Sequence, residues 1–379
     1  MKFSDIPGQN ELKERLRKTV LDNRVSHAQL FLGPEGCGKL PMALAYAQYI
    51  NCTDRTHDDS CGICHSCVKY AKLAHPDLHF IYPVATTKEI TKDPVSKLFI
   101  QHWRSLALKS GGYFSLKDWY QKIGLENKQG IINTDDCNEI VRTLSYKSYE
   151  SEYKVMIIWM IEKLYHAAAP KLLKILEEPP DKTLFLLISE QSDLILPTIL
   201  SRTQLVKFLP LPDRVITDTL TAGGECTREE ANRIMYMSNG NLIAARRMLE
   251  TGESDLSDFE LFRTWMRACY RKDASAFLKL TTDFQALGRE NQKKFIIYAL
   301  KATRYCLMYQ YGHESEIKAE GEELKFIRDF SPFINQTNIG LLNEAFNTAH
   351  YHIERNGAGN IIFFDLSLKV MQWVARKQA

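Results

Sequence analysis

Four cysteines crowd one short stretch of the chain, NCTDRTHDDSCGICHSC. Cys52, Cys61, Cys64 and Cys67 are spaced C-x8-C-x2-C-x2-C. Two overlapping CxxC steps bring three thiolates onto one tight turn, and Cys52 can close a tetrahedron, the geometry zinc takes. Gly62 gives that turn its freedom. Four thiolates leave no open coordination position, so a zinc held here is structural rather than catalytic. Free thiols or a redox pair are the alternative; His57 and His65 stand close enough in sequence to substitute as ligands. The remaining cysteines, Cys37, Cys137, Cys226, Cys269 and Cys306, are scattered and read as ordinary buried thiols. Nine cysteines in 379 residues are too sparse for a disulfide scaffold, and the cluster points to metal in a reducing compartment.

A second constellation is Gly33-Pro34-Glu35-Gly36-Cys37-Gly38-Lys39-Leu40. The apolar run AQLFL (28–32) before it suits a buried strand, and MALAYAQYI after it suits a helix that tolerates Pro41 in its first turn. Strand, glycine loop, lysine and helix make a P-loop: Gly33, Gly36 and Gly38 let backbone N–H groups approach phosphate, Lys39 supplies charge, and the helix N-terminus adds to it. The next position should carry a hydroxyl for Mg²⁺, and it is Leu40. Lys39 can bind phosphate or bond the carbonyls of its own loop. A second buried strand, KVMII (154–158), should end in carboxylates that hold the metal and orient water. Trp159 and Met160 follow instead, and Glu162 lies too far along. ATP binding is therefore expected to be weak or absent, and hydrolysis absent.

The segments HAQLFLGPEGCGK (27–39) and LLKILEEPPDKTLFLLISEQSDLILPTILSRTQ (172–204), with the four-cysteine insert between them, resemble the bacterial clamp-loader AAA+ family. The family pattern is HAYLFxGPxGxGK, NALLKTLEEPP and LLPTIxSRCQ. The pairing of LEEPP with TIxSR is specific; a lone P-loop is not. The match covers about residues 1–250 well and the rest weakly. Pro170 replaces the family's Asn, and Thr203 the Cys of SRC. Leu40, Trp159-Met160, and Ile243 at the position of the sensor-2 arginine all depart from the ATP-hydrolysing members, as the chain's end at 379 departs from their long C-terminal extension. The resemblance is therefore to the branch that completes the ring without hydrolysing ATP.

That resemblance implies a RecA-like AAA+ domain with a parallel sheet, a small helical lid and an all-α collar. It implies gamma/tau ATPase subunits and a delta subunit as partners in a hetero-oligomer of the DNA polymerase III holoenzyme, which loads the sliding clamp on primer-template DNA in replication. It also implies a role for Arg202, in Ser201-Arg202-Thr203: an arginine finger inserted in trans into the neighbour's ATP site. Phosphoryl transfer spreads negative charge over the γ-phosphate oxygens, and a guanidinium offers fixed planar donors there. The plain alternative is a capping or salt-bridging surface arginine. Ser189 matches the sensor-1 position and reads as a strand-end hydroxyl; His75-Pro76-Asp77 reads as a turn.

The positioning elements follow. Residues 1–210 are expected to form the P-loop domain, with the cysteine insert at 52–67 and an extra insertion near 85–130. The lid spans 211–252 after the hinge Leu209-Pro210-Leu211-Pro212, and 253–379 is helical. In the insertion, LFIQHWRSLAL has helical spacing and Gly111-Gly112 breaks it. Its Trp103, Tyr113, Phe114, Trp119 and Tyr120 pack on the domain body, or else form a platform for a partner or DNA. A helix is expected from Thr134-Asp135. Phe295, Tyr298, Tyr305 and Tyr309 stripe one collar helix and read as core more than interface.

Composition bounds the rest. With 45% hydrophobic and 25% charged residues the chain is globular, and a formal net charge of +3 is too small for a nucleic-acid-coating protein. The start, MKFSDIPGQNELKERL, has no apolar core of a signal peptide and no run reaches membrane-spanning length, so a cytoplasmic location is expected. Two rivals remain: an active ATPase of the same family, and a zinc-dependent nucleic-acid-binding module on a P-loop fold. The near-neutral charge disfavours the second.

Overall fold

The computed structural model describes residues 1–125, 128–251, 255–317, 319, 321–355 and 357–374. Contacts divide the chain into two compact units, Met1–Leu249 and Glu250–Ala379.

The first unit is built on five strands: β1 (Ala28–Leu32), β2 (Leu78–Ile81), β3 (Lys154–Trp159), β4 (Thr183–Ser189) and β5 (Gln204–Lys207). They pair in parallel in the order β2-β3-β4-β1-β5. The three central strands are buried on both faces, which is why they read as unbroken apolar runs. In β3, Val155, Ile157 and Trp159 enter one core, while Met156 and Ile158 enter the other. The first core is closed by α1 (Asn10–Leu21) and α2 (Lys39–Ile50), with α3 (His65–Ala71) following the cysteine segment. All twelve residues of α2 are buried.

The insertion supplies α4 (Ile100–Ser110) and α5 (Leu116–Lys122). Gly111 ends α4 in the left-handed conformation, as the Gly-Gly pair leads one to expect. Trp103 and Trp119 are fully buried and Phe114 nearly so. Trp103 stacks on Tyr82 at 4.2 Å. The opposite face of the sheet is covered by α6 (Thr134–Ser145), α7 (Ala169–Glu177) and α8 (Pro197–Leu200). Asn133 caps α6 by accepting from Asp135 and Asp136 N–H.

After Pro212, α9 (Asp213–Ala222), α10 (Arg228–Ser238) and α11 (Leu242–Thr251) enclose a small core of their own around Ile216, Leu220 and Leu242. A capping box between Thr227 and Glu230 starts α10. The boundary expected at 252/253 lies outside the described residues.

The second unit is helical throughout its described residues: α12 (Asp255–Arg271), α13 (Ala274–Ala286), α14 (Arg289–Gln310), α15 (Gly321–Phe330), α16 (Ile339–Glu354) and α17 (Gly359–Val374). Trp265, Phe284, Phe295 and Phe363 fill its centre, and the Trp265 indole donates to Ser367 Oγ at 2.9 Å. Phe295, Tyr298 and Tyr305 are core residues, and Tyr309 packs against them partly buried.

Candidate functional site

The P-loop lies between β1 and α2, as its sequence demands, and it is filled by the protein itself. Lys39 Nζ donates to Gly33 O at 2.8 Å and Pro34 O at 2.5 Å, and lies 3.5 Å from Glu190 Oε1. Its side chain is 5% exposed. The lysine thus bonds the carbonyls of its own loop. Gly36 adopts a positive φ, and a Cβ there would lie 1.9 Å from Asn241 Oδ1 of the α10–α11 turn. Leu242 N donates to Gly36 O and Asn241 Nδ2 to Glu35 Oε1. A Cβ on Gly38 would stand 2.9 Å from the Tyr113 hydroxyl. Gly33, Gly36, Gly38 and Lys39 are thus together, but Leu40, Tyr113, Trp159 and Ile243 close over them. The space left is about 20 Å³, roughly what one water needs.

The metal-holding positions of an ATP site are apolar here. Trp159 ends β3, 3% exposed, against Phe114 and Trp103 at ring distances of 5.2 and 5.3 Å. Glu162 accepts from Glu190 N at 3.0 Å. Glu190, just beyond β4, is the residue the sequence did not single out. Burial pushes its carboxyl up to about 7, Lys39 partly offsets this, and Glu35 and Glu162 add to the rise. Ser189 bonds the Gln191 backbone, as a strand-end hydroxyl does.

The insertion is pinned over the cradle. Arg247 Nη2 donates to Asp118 Oδ1 and Oδ2 at 3.0 and 3.1 Å and to Ser115 Oγ at 3.1 Å. The Arg246 guanidinium sits 5.6 Å from the Tyr113 ring centre. The Tyr113 hydroxyl is buried without a hydrogen-bond partner among the described residues, and burial raises its pKa.

The four cysteines converge. Their Sγ atoms all lie within 4.8 Å of one another, with Cys52–Cys61 at 3.6 Å, Cys61–Cys67 at 3.9 Å and Cys52–Cys64 at 4.0 Å. Tetrahedral zinc with Zn–S bonds of ~2.3 Å requires S···S edges of ~3.8 Å, so the donor set fits that ion. Backbone N–H groups of Cys61, Cys64 and Cys67 donate to the sulfurs of Cys52, Cys61 and Cys64, which favours thiolates. His57 and His65 are exposed and take no part.

Arg202 follows α8 at the surface, its side chain 35% exposed. Nε and Nη2 meet Glu177 Oε1 at 2.6 and 2.5 Å, while Nη1 donates to Thr198 O and Ser201 Oγ. Asp77 does more than make a turn: its carboxylate accepts from the N–H groups of Tyr149, Glu150 and Ser151 and fastens that loop to β2. These hydrogen bonds hold its pKa down against the effect of burial.

Residues 8–212 match the family described as "DNA polymerase III, delta subunit". The DNA polymerase III subunit delta' of Bacillus subtilis is 31% identical over 81% of this chain and 81% of its own. The delta' subunit of Haemophilus influenzae is 26% identical over 83% and 80%. A gamma/tau subunit of Mycobacterium bovis is 28% identical, but over 56% of this chain and 30% of its own. Among the described residues no helix is long and apolar enough to cross a membrane. The two delta' alignments cover about four fifths of both partners, and the chain belongs to the delta' subunits of the DNA polymerase III clamp loader.

Proposed function

We propose that this delta' subunit neither hydrolyses nor tightly binds ATP, and that it completes the clamp-loader ring with gamma/tau and delta subunits, offering Arg202 in trans to the ATP site of a neighbour. The complex so formed loads the sliding clamp on primed DNA. The observation that carries the first half is the Lys39 ammonium committed to Gly33, Pro34 and Glu190 inside a space of about 20 Å³. A nucleotide triphosphate needs that lysine and far more room. The finger assignment rests on the SRT match and on the guanidinium's place at the surface. Cys52, Cys61, Cys64 and Cys67 hold zinc in this reading, and the ion, when bound, cross-links the α2–α3 connection without taking part in phosphoryl transfer.

The test is reconstitution with gamma/tau and delta. Arg202→Ala assembles normally and slows ATP turnover at the facing site by about 10³-fold or more. Wild-type turnover in the Arg202→Ala complex defeats the finger assignment, and brisk hydrolysis by the isolated chain defeats the rest.

A further inference from the structure

Glu177 is the last residue of α7, in the segment Leu176-Glu177-Glu178-Pro179-Pro180, and Arg202 lies just past α8. One Glu177 oxygen accepts from Nε–H at 2.6 Å and lies 2.5 Å from Nη2. Thr198 O and Ser201 Oγ take the Nη1 side at 2.9 and 3.2 Å. An arginine has five N–H donors. Nε and Nη1 donate within the chain, while Nη2 meets Glu177 as an ion-pair contact at the partly exposed edge. A free arginine side chain samples many rotamers. A guanidinium gripped along its Nε edge and braced along Nη1 is held to one orientation.

We propose that Glu177 is a positioning residue for the trans-acting arginine: its carboxylate sets the direction in which Arg202 meets the neighbour's γ-phosphate. The inference rests on the finger reading above. Glu177 touches no substrate and acts only through Arg202. Pro179 and Pro180, beyond Glu178, restrict the backbone just past the residue that carries the carboxylate. The pair is nearly half exposed on the Glu177 side, so it contributes little to stability, and its function lies in geometry. Misplacing a reacting group by about 1 Å is enough to lose about 10²-fold in rate.

Reconstituted complexes carrying Glu177→Ala, Glu177→Gln, Arg202→Ala and the Glu177→Ala/Arg202→Ala pair separate the possibilities, with assembly and melting checked for each. Glu177→Ala lowers kcat at the facing site about 10- to 100-fold with KM for ATP unchanged. Glu177→Gln, whose amide oxygen still accepts, recovers most of the loss. The double variant is no slower than Arg202→Ala. A slow Arg202→Ala complex beside a Glu177→Ala complex at or above the wild-type rate overturns the positioning role alone. Wild-type turnover with Arg202→Ala overturns both it and the finger.

Discussion

Lys39 and Glu190 form an ion pair at 3.5 Å inside the phosphate-binding loop, with the lysine 5% and the carboxylate 26% exposed. In a working P-loop the lysine reaches the β- and γ-phosphates. Here its charge is neutralised from within, by a carboxylate at the end of β4 and two carbonyls of its own loop. Lys39→Met should therefore leave ATP turnover of the assembled complex unchanged while destabilising the subunit by only about 1 kcal/mol, because the partly exposed Glu190 carboxyl, deprived of its cation, takes up a proton. Chemical denaturation and a turnover assay check the two halves. A variant complex that loses turnover shows the lysine on a phosphate.

The same carboxylate makes stability depend on pH. Its folded pKa, about 7, stands above the ordinary 4.5, so the folded chain holds this proton more tightly than the unfolded chain. The group's contribution is complete below about pH 4.5 and is lost as pH rises through 7. Glu190→Gln removes the titration. The unfolding free energy of the wild type relative to Glu190→Gln should fall by up to about 3 kcal/mol from pH 5 to pH 8. Parallel stability curves for the two proteins over that range contradict the raised pKa.

Elements and residues differ in how much of this was legible beforehand. The runs of β1, β3 and β4 are continuous because both faces are buried, and they stand out in sequence. The edge strands β2, LHFI, and β5, QLVK, are four residues long and mix polar with apolar side chains, and nothing in so short a pattern marks a strand. The cysteine tetrad is legible because its ligands are local. The losses at Leu40 and Trp159 are legible because each occupies a motif position. The filling of the cradle is not: Tyr113 and Asn241 reach Gly38 and Gly36 from remote stretches of chain, and only the fold brings them there. Glu177 sits in a motif noticed for its family pattern, yet its bond to Arg202 spans 25 residues and leaves no periodic trace. Asp77 is likewise visible as a turn residue but not as the acceptor of three distant amides.

Metal removal should loosen more than the cysteine turn. Lys2 Nζ donates to Cys61 O, and Phe3 and Ser4 N–H groups donate to the Asp59 carboxylate, so the N-terminus is tied to the segment that carries the four thiols. Elemental analysis should find about one zinc per chain, and chelation or Cys67→Ser should lower Tm by about 5 °C or more. Amide exchange at residues 2–6 should accelerate together with that at 52–67. Complete metal loss with unchanged melting and exchange rules out a structural ion.

The turn that covers the cradle gives two predictions of opposite sign. Asp118 both accepts from Arg247 and returns the capping bond of Ser115 at the start of α5. Asp118→Ala removes both, and should cost about 1–3 kcal/mol and speed amide exchange across 112–122. Tyr113→Phe removes a hydroxyl that is buried over Gly38 and has no hydrogen-bond partner among the described residues. Its ring and its place beside Arg246 remain. An unsatisfied buried hydroxyl carries a desolvation penalty that its deletion relieves. Tyr113→Phe should therefore leave stability unchanged or raise it by about 1 kcal/mol, read from urea midpoints at constant slope. A loss of more than 1 kcal/mol on the order-of-magnitude scale of a satisfied hydrogen bond would place an acceptor against that hydroxyl, such as the one water the cradle has room for.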